Sequence, residues 1–297
     1  MFTHPGILGP RDRIEHVMAD NTIPSITLNN GVDIPQLGFG TYQIPPRETK
    51  GAVLTALEAG YRHIDTAQMY GNEREVGEAV RESGLSRSDV FVTSKLNNNA
   101  HDPAVAVDAV ARSTDELGLG PIDLYLVHWP LPEVGDFVDT WRALEGQYRS
   151  GALRTIGVSN FQQGHLERLL ANTEVVPAVN QIEVHPYFQQ APLRAFNRDH
   201  GIVTEAWAPI GQGAVLDDPV LAEIAGQVAR TVAQVTLRWH IQRGDVIFPK
   251  SSSPARAAEN SALFDFELSD EQVARIDALD ADRRLGPDPD TFNWVPA

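Results

Sequence analysis

The chain has 297 residues, 42% of them hydrophobic and 22% charged, enough for one large core or two small ones. It contains no cysteine, which excludes disulfides, thiolate metal sites, iron–sulfur clusters and a cysteine nucleophile. Acidic side chains outnumber basic ones, 40 against 24, for a formal charge of −16 that repels nucleic acid and anionic membranes. A phosphate-bearing ligand therefore needs a local basic pocket within that field.

Residues 1–21 have no clean hydrophobic period and read as a poorly ordered extension ahead of one domain over residues 22–297. The extension lacks the basic-then-apolar profile of a signal peptide, and no stretch reaches the length of a membrane span, so the expected address is the cytoplasm. A hairpin follows, with strands at Ser25–Leu28 and Val32–Ile34 around the turn Asn29-Asn30-Gly31. Strand-like apolar runs then alternate with amphipathic helical stretches about every 25 to 40 residues. The strands are expected at Gln36–Phe39, Tyr61–Ile64, Val90–Ser94, Ile122–Val127, Thr155–Val158, Ala178–Glu183, Val203–Glu205 and Val246–Phe248. Gly51–Gly60, Ala104–Leu117 and Val232–Arg243 carry apolar residues at helical spacing. Eight strands with helical crossovers fit a closed parallel (β/α)8 TIM barrel better than an open sheet. The Pro- and Asp-rich end, Leu285–Trp294, finishes on aromatics and reads as a loop laid back over the active site.

In such a barrel, functional residues stand where the strands end. Those positions hold Asp65, Lys95, His128, Ser159 with Asn160, Gln181, Trp207 and Lys250. A purely structural barrel has no reason to stack so many polar groups on one rim. Any one of them alone reads as easily as a paired rim charge or a satisfied core histidine.

Three stretches carry a family likeness. Gly60-Tyr-Arg-His-Ile-Asp65-Thr-Ala-Gln-Met-Tyr70-Gly-Asn-Glu73 resembles the first signature of the aldo-keto reductase superfamily. Leu117-Gly-Leu-Gly-Pro-Ile-Asp-Leu-Tyr-Leu-Val-His128-Trp-Pro130 resembles the middle signature, and Ile247-Phe-Pro-Lys250-Ser-Ser-Ser-Pro-Ala-Arg256-Ala-Ala-Glu259-Asn260 the cofactor signature. The likeness runs from about Thr22 to the C-terminus, and its compact length and Trp207 look most like the bacterial 2,5-diketo-D-gluconate reductase branch.

The resemblance implies a catalytic tetrad of Asp65, Tyr70, Lys95 and His128. The residue types suit carbonyl reduction. Hydride addition leaves negative charge on oxygen, which an acid must protonate. A tyrosine, with a pKa near 10, is a weak acid, and a nearby ammonium is expected to lower that value. Lys95 fills that place, paired with Asp65, while His128 orients the substrate oxygen and Tyr70 donates the proton.

The resemblance also implies NADPH, with NADH as a weaker substitute. Ser159, Asn160 and Gln181 would meet the nicotinamide carboxamide, and Trp207 would stack on the ring. Lys250, Ser251, Ser252 and Arg256 would form the basic pocket that the acidic composition demands, Arg256 on the 2′-phosphate. Glu259 and Asn260 would reach the adenine, Gly211 would pass the pyrophosphate, and Gly40, Thr41, Asp65 and Pro209 complete the implied cofactor surface. Ser253 stands where relatives are often basic, and Asn97 where many are aromatic, which leaves a more polar substrate mouth. Tyr42, Met69, Asn97, Trp129, Phe292 and Trp294 are the expected pocket walls. The partner is a small carbonyl compound; nucleic acid, membranes and metals are not expected, and the family resemblance implies a monomer.

Other chemistries fail on particular residues. No Gly-x-Gly-x-x-Gly follows a strand, no Tyr-x-x-x-Lys marks a short-chain dehydrogenase, and no His-Glu-x-x-His offers zinc ligands. Gly157-Val-Ser159-Asn-Phe161 lacks the closing glycine of a hydrolase elbow. The alternative of another class is a barrel that binds NADPH as a regulatory or structural subunit, against which the complete tetrad argues.

Overall fold

The computed structural model describes residues 23–250 and 253–296. The extension expected over residues 1–21 lies outside them. β1 (Ser25–Thr27) pairs antiparallel with β2 (Asp33–Pro35), Ile26 facing Ile34. The hairpin buries Leu28 and Ile34 in one cluster with Phe91, Leu124, Leu126, Val179 and Val246, so it plugs the lower end of the sheet that follows.

That sheet holds eight parallel strands in chain order: β3 (Phe39–Gly40), β4 (His63–Asp65), β5 (Phe91–Leu96), β6 (Leu124–Val127), β7 (Ile156–Ser159), β8 (Val179–Glu183), β9 (Val203–Trp207) and β10 (Val246–Ile247). Leu37 bridges in parallel to Ile247, and the Gly38 N–H donates to the Ile247 carbonyl at 2.8 Å, which joins the first strand to the last. The result is the expected (β/α)8 barrel. Helices cover its outside: α1 (Pro46–Glu58), α2 (Glu73–Glu82), α3 (Pro103–Leu117), α4 (Phe137–Arg149), α5 (Gln163–Asn172), α6 (Ala191–Asp199), α7 (Pro219–Val228), α8 (Val232–Gln242), α9 (Pro254–Ser261) and α10 (Asp270–Asp277). Among the described residues, no helix is long and apolar enough to cross a membrane.

Local chemistry sets the helix starts. Asp102, Asp136 and Asp218 cap α3, α4 and α7 through backbone N–H groups, and Thr231–Gln234 and Ser269–Gln272 form capping boxes on α8 and α10. α1 begins at Pro46 rather than the expected Gly51, because proline suits a first turn whose N–H needs no partner. The strands shift towards the rim. β4 runs to Asp65, β5 to Leu96 and β9 to Trp207, so these site residues lie inside strands rather than after them. The expected Gln36–Phe39 strand reduces to the Leu37 bridge and Phe39–Gly40.

Strand alternation then builds the site. On β5, Val92 and Leu96 face the helices, so Phe91, Thr93 and Lys95 face the interior. β6 turns Leu124 and Leu126 inward, with His128 next in that series, and β8 does the same with Val179, Gln181 and Glu183. The interior is apolar at the hairpin end and polar at the C-terminal rim. Outside, α2 meets α3 where Gly77 carries no side chain: a Cβ there would lie 1.9 Å from the Leu117 carbonyl oxygen. Gly77→Ala is expected to lower stability by about 1–3 kcal/mol in urea unfolding through forced separation of the helices. An unchanged midpoint would show that the contact yields freely.

Candidate active site

Lys95 is the centre of the rim. Its side chain is fully buried, a state that an ammonium tolerates only when paired. Nζ donates to Asp65 Oδ1 and Oδ2 at 2.7 and 2.8 Å and to the Thr66 carbonyl at 2.9 Å, and reaches the Tyr70 hydroxyl at 3.4 Å. Burial pulls the ammonium down, but Asp65, with Tyr70 and Glu205 adding to it, more than offsets this and holds Lys95 above its ordinary value.

Tyr70 ends a single 3₁₀ turn, Gln68–Tyr70, and its ring stands edge-on to His128 with centroids 5.9 Å apart. Burial pushes its hydroxyl up to about 12, and Lys95 only opposes the rise. Lys95 does lower the tyrosine, as expected, but desolvation of the phenolate is the larger effect, so the net shift is upward and the resting hydroxyl keeps its proton across the neutral range. Burial, with repulsion from Lys95, also pushes His128 well below its ordinary value, leaving a neutral imidazole. The structure brings all four tetrad residues together.

A second network adjoins them. The Gln181 amide donates to Asp65 Oδ2 at 2.9 Å and to Glu205 Oε2 at 2.8 Å. Ser159 donates to the Gln181 carbonyl, Asn160 donates to the His128 carbonyl, and the Trp207 indole N–H donates to Asn160 Oδ1 at 2.8 Å. Asn160, Leu131 and Ala208 hold left-handed backbone, three strained positions on one rim.

The family model for the aldo/keto reductase family matches residues 36–281. The chain belongs to the aldo-keto reductase family. It is 50% identical over 92% of its length to an aldo-keto reductase of Mycolicibacterium smegmatis, covering 99% of that protein. It is 48% identical to the morphine 6-dehydrogenase of Pseudomonas putida, over 90% of this chain and 94% of that one. A solved structure of a Gox0644 mutant in complex with NADPH superposes with a TM-score of 0.88 at 42% identity, covering 91% of this chain and 99% of that one. Membership places the protein among oxidoreductases that act on carbonyl compounds, and the solved relative holds NADPH.

In this aldo-keto reductase the other implied cofactor residues spread along the same rim. The side chains of Lys250 and Arg256 are exposed and form no hydrogen bond or ion pair with the described residues, two uncompensated cations in an acidic protein. Arg256 lies in the first turn of α9, where backbone N–H groups also favour an anion. Ser251 and Ser252 lie outside the described residues. Gly211 has φ +55 beside His185, and the Pro209 carbonyl is engaged by His240 at 3.1 Å. Thr41, next to Gly40, is fully buried, and its hydroxyl donates to the Asp65 carbonyl at 3.0 Å. Glu259 accepts from Thr231 at 2.8 Å, and Asn260 is buried beside it. Free cations at one end and a Gln181 oxygen without a hydrogen bond at the other suit an anionic dinucleotide.

Aromatics wall the mouth. Trp129 packs on Phe292 of the C-terminal segment at 4.3 Å, and Tyr42 leans on Tyr70 at 5.1 Å. Met69 and Asn97 are half-buried, the Asn97 amide oxygen without a partner, and Trp294 is exposed. The segment is tied down by residues that the sequence reading missed. Asn98 donates to the Trp294 carbonyl at 2.9 Å, and the Glu183 carboxylate accepts from the N–H groups of Leu285 and Gly286 at 2.7 and 2.9 Å. Gly286 sits against the indole, since a Cβ there would lie 2.5 Å from the Trp207 ring. The alternation of β8 and β9, which turns Gln181, Glu183 and Glu205 inward, was the signal that could have found both acids.

Proposed function

We propose that the protein reduces the carbonyl of a small aldehyde, dicarbonyl or sugar-derived ketone with NADPH, Tyr70 delivering the proton. The carrying observation is Lys95, bonded to Asp65 and within 3.4 Å of the Tyr70 hydroxyl. Bound NADPH would supply a hydride for the carbonyl carbon, the C=O π pair moving onto oxygen. Neutral His128 donates a hydrogen bond that orients this oxygen. Tyr70 then transfers its proton to it, giving the alcohol, and recovers a proton from solvent. An alkoxide, conjugate to an acid weaker than tyrosine, takes that proton downhill even from a hydroxyl that burial has raised to about 12. Lys95 compensates the transient phenolate.

Trp207 would support the nicotinamide, Gln181 would accept from its carboxamide, with Ser159 and Asn160 bracing both, and Arg256 with Lys250 would hold the 2′-phosphate. Asn97, Met69, Tyr42, Trp129, Phe292 and Trp294 would enclose the substrate. The unpartnered Asn97 oxygen at the mouth supports a polar, short substrate. We place the enzyme in the cytoplasm as a monomer.

The test is NADPH oxidation, followed by absorbance, against aldehydes, dicarbonyls and keto-sugars. Turnover on any of them supports the reading. Tight NADPH binding without turnover across the set would favour a regulatory barrel. Arg256→Ala is expected to raise the KM for NADPH by about 10- to 100-fold, as loss of a charge-assisted contact implies, and to leave that for NADH nearly unchanged. Equal effects on both nucleotides would remove Arg256 from 2′-phosphate recognition.

A further inference from the structure

Glu205 is a buried acid that the reaction above does not use. It lies on β9 opposite Gln181 of β8 and beside Val246 of β10, with no exposed surface. Oε2 accepts from the Gln181 amide at 2.8 Å, while Oε1 is buried without a partner. A carboxyl group with one satisfied oxygen is costly in a stability-only role. The same Gln181 nitrogen donates to Asp65 Oδ2 at 2.9 Å, so one amide joins Glu205 to the Lys95–Asp65 pair.

We propose that Glu205 is a positioning residue of the reductase site, acting through Gln181 and through the charge it places beneath the Lys95–Asp65 pair to set the pH range over which Tyr70 delivers its proton. This rests on the reductase reading above. Two carboxylates accepting from the Gln181 amide nitrogen fix its N–H groups and leave its oxygen without a hydrogen bond. The charged groups acting on Glu205 are Asp65 on β4 and Lys95 on β5. β10 brings only Val246 and Ile247 alongside, and α6, which packs on β9, turns Leu193 and Asn197 inward. Burial, reinforced by Asp65, pushes Glu205 up to about 8, with Gln181 and Lys95 opposing.

Below that value Glu205 is neutral, and Lys95, Asp65 and Glu205 together carry no net charge. Above it the group carries one negative charge. That charge opposes the oxyanion forming during reduction and makes Tyr70 a weaker acid, so reduction falls as pH rises through about 8. It also favours the positively charged ring of NADP+ over the neutral ring of NADPH.

The test compares wild type with Glu205→Gln, which keeps an acceptor for Gln181 and removes the titration. Dissociation constants for NADPH and NADP+ are measured by tryptophan fluorescence at about pH 6 and about pH 10, either side of the titration. Their ratio cancels the 2′-phosphate ionisation that both nucleotides share. In wild type the preference for NADP+ should rise on the order of tenfold with pH, and in Glu205→Gln it should stay flat. Reduction by the variant should persist through about pH 9, where wild type has declined. A merely structural glutamate would change the variant's stability and leave its pH profile parallel to wild type, which overturns the proposal. A constant ratio in wild type alone also overturns it, whether or not the variant folds. Failure of wild type to bind either nucleotide would instead sink the reductase reading.

Discussion

Tyr70→Phe is expected to cut carbonyl reduction by about 10²–10⁴-fold while leaving NADPH affinity unchanged, the range that removal of a positioned general acid produces. The substitution deletes one hydroxyl. The ring stays between Tyr42 and His128, so the walls of the mouth are retained. The check is turnover at saturating NADPH, with cofactor binding read separately by fluorescence. A variant with wild-type turnover would end the role of Tyr70 as proton donor, and loss of NADPH binding in step with activity would assign it to the cofactor instead.

Lys95→Met should be damaging twice over. The Asp65 carboxylate, nearly buried, would lose the cation that compensates it, at a cost of roughly 3–5 kcal/mol in urea unfolding. Turnover should fall with it, because no cation would face the Tyr70 phenolate. Asp65 holds the ammonium above its ordinary 10.5. The pair's contribution is therefore complete below that pH and is lost as pH rises through the raised value. The double variant Lys95→Met/Asp65→Asn removes both charges and should recover most of the stability but none of the activity. Recovered activity would show that the pair serves folding alone.

The two substitutions mark what a sequence can convey about such a site. Asp65, Lys95, His128, Gln181 and Trp207 were legible because parallel strands of a barrel place their last inward residues on one rim, and a period of two is readable in a few residues. Glu205 was equally visible in that pattern, but an acid on a strand announces nothing until Gln181, 24 positions away, is seen to join it to Asp65. The latch of Glu183 on Gly286 spans 103 positions and has no local signature at all. The pKa of Tyr70 was misjudged for a related reason. A neighbouring lysine can be inferred from family spacing, whereas the depth of burial that outweighs it is a sum over the whole fold. Thr41, expected on the cofactor surface, turns its hydroxyl to the Asp65 carbonyl, a choice of rotamer no sequence displays.

The C-terminal segment meets the barrel at points that include Glu183, Asn98, the Glu133 N–H, His165 and the rings of Trp129 and Trp207. None of the tetrad lies on it. Part of the proposed substrate wall, Phe292 and Trp294, thus occupies a length of the gene apart from the tetrad, and a lineage can rewrite the last few codons, keep those anchors, and reshape that part of the mouth without touching Asp65, Tyr70, Lys95 or His128.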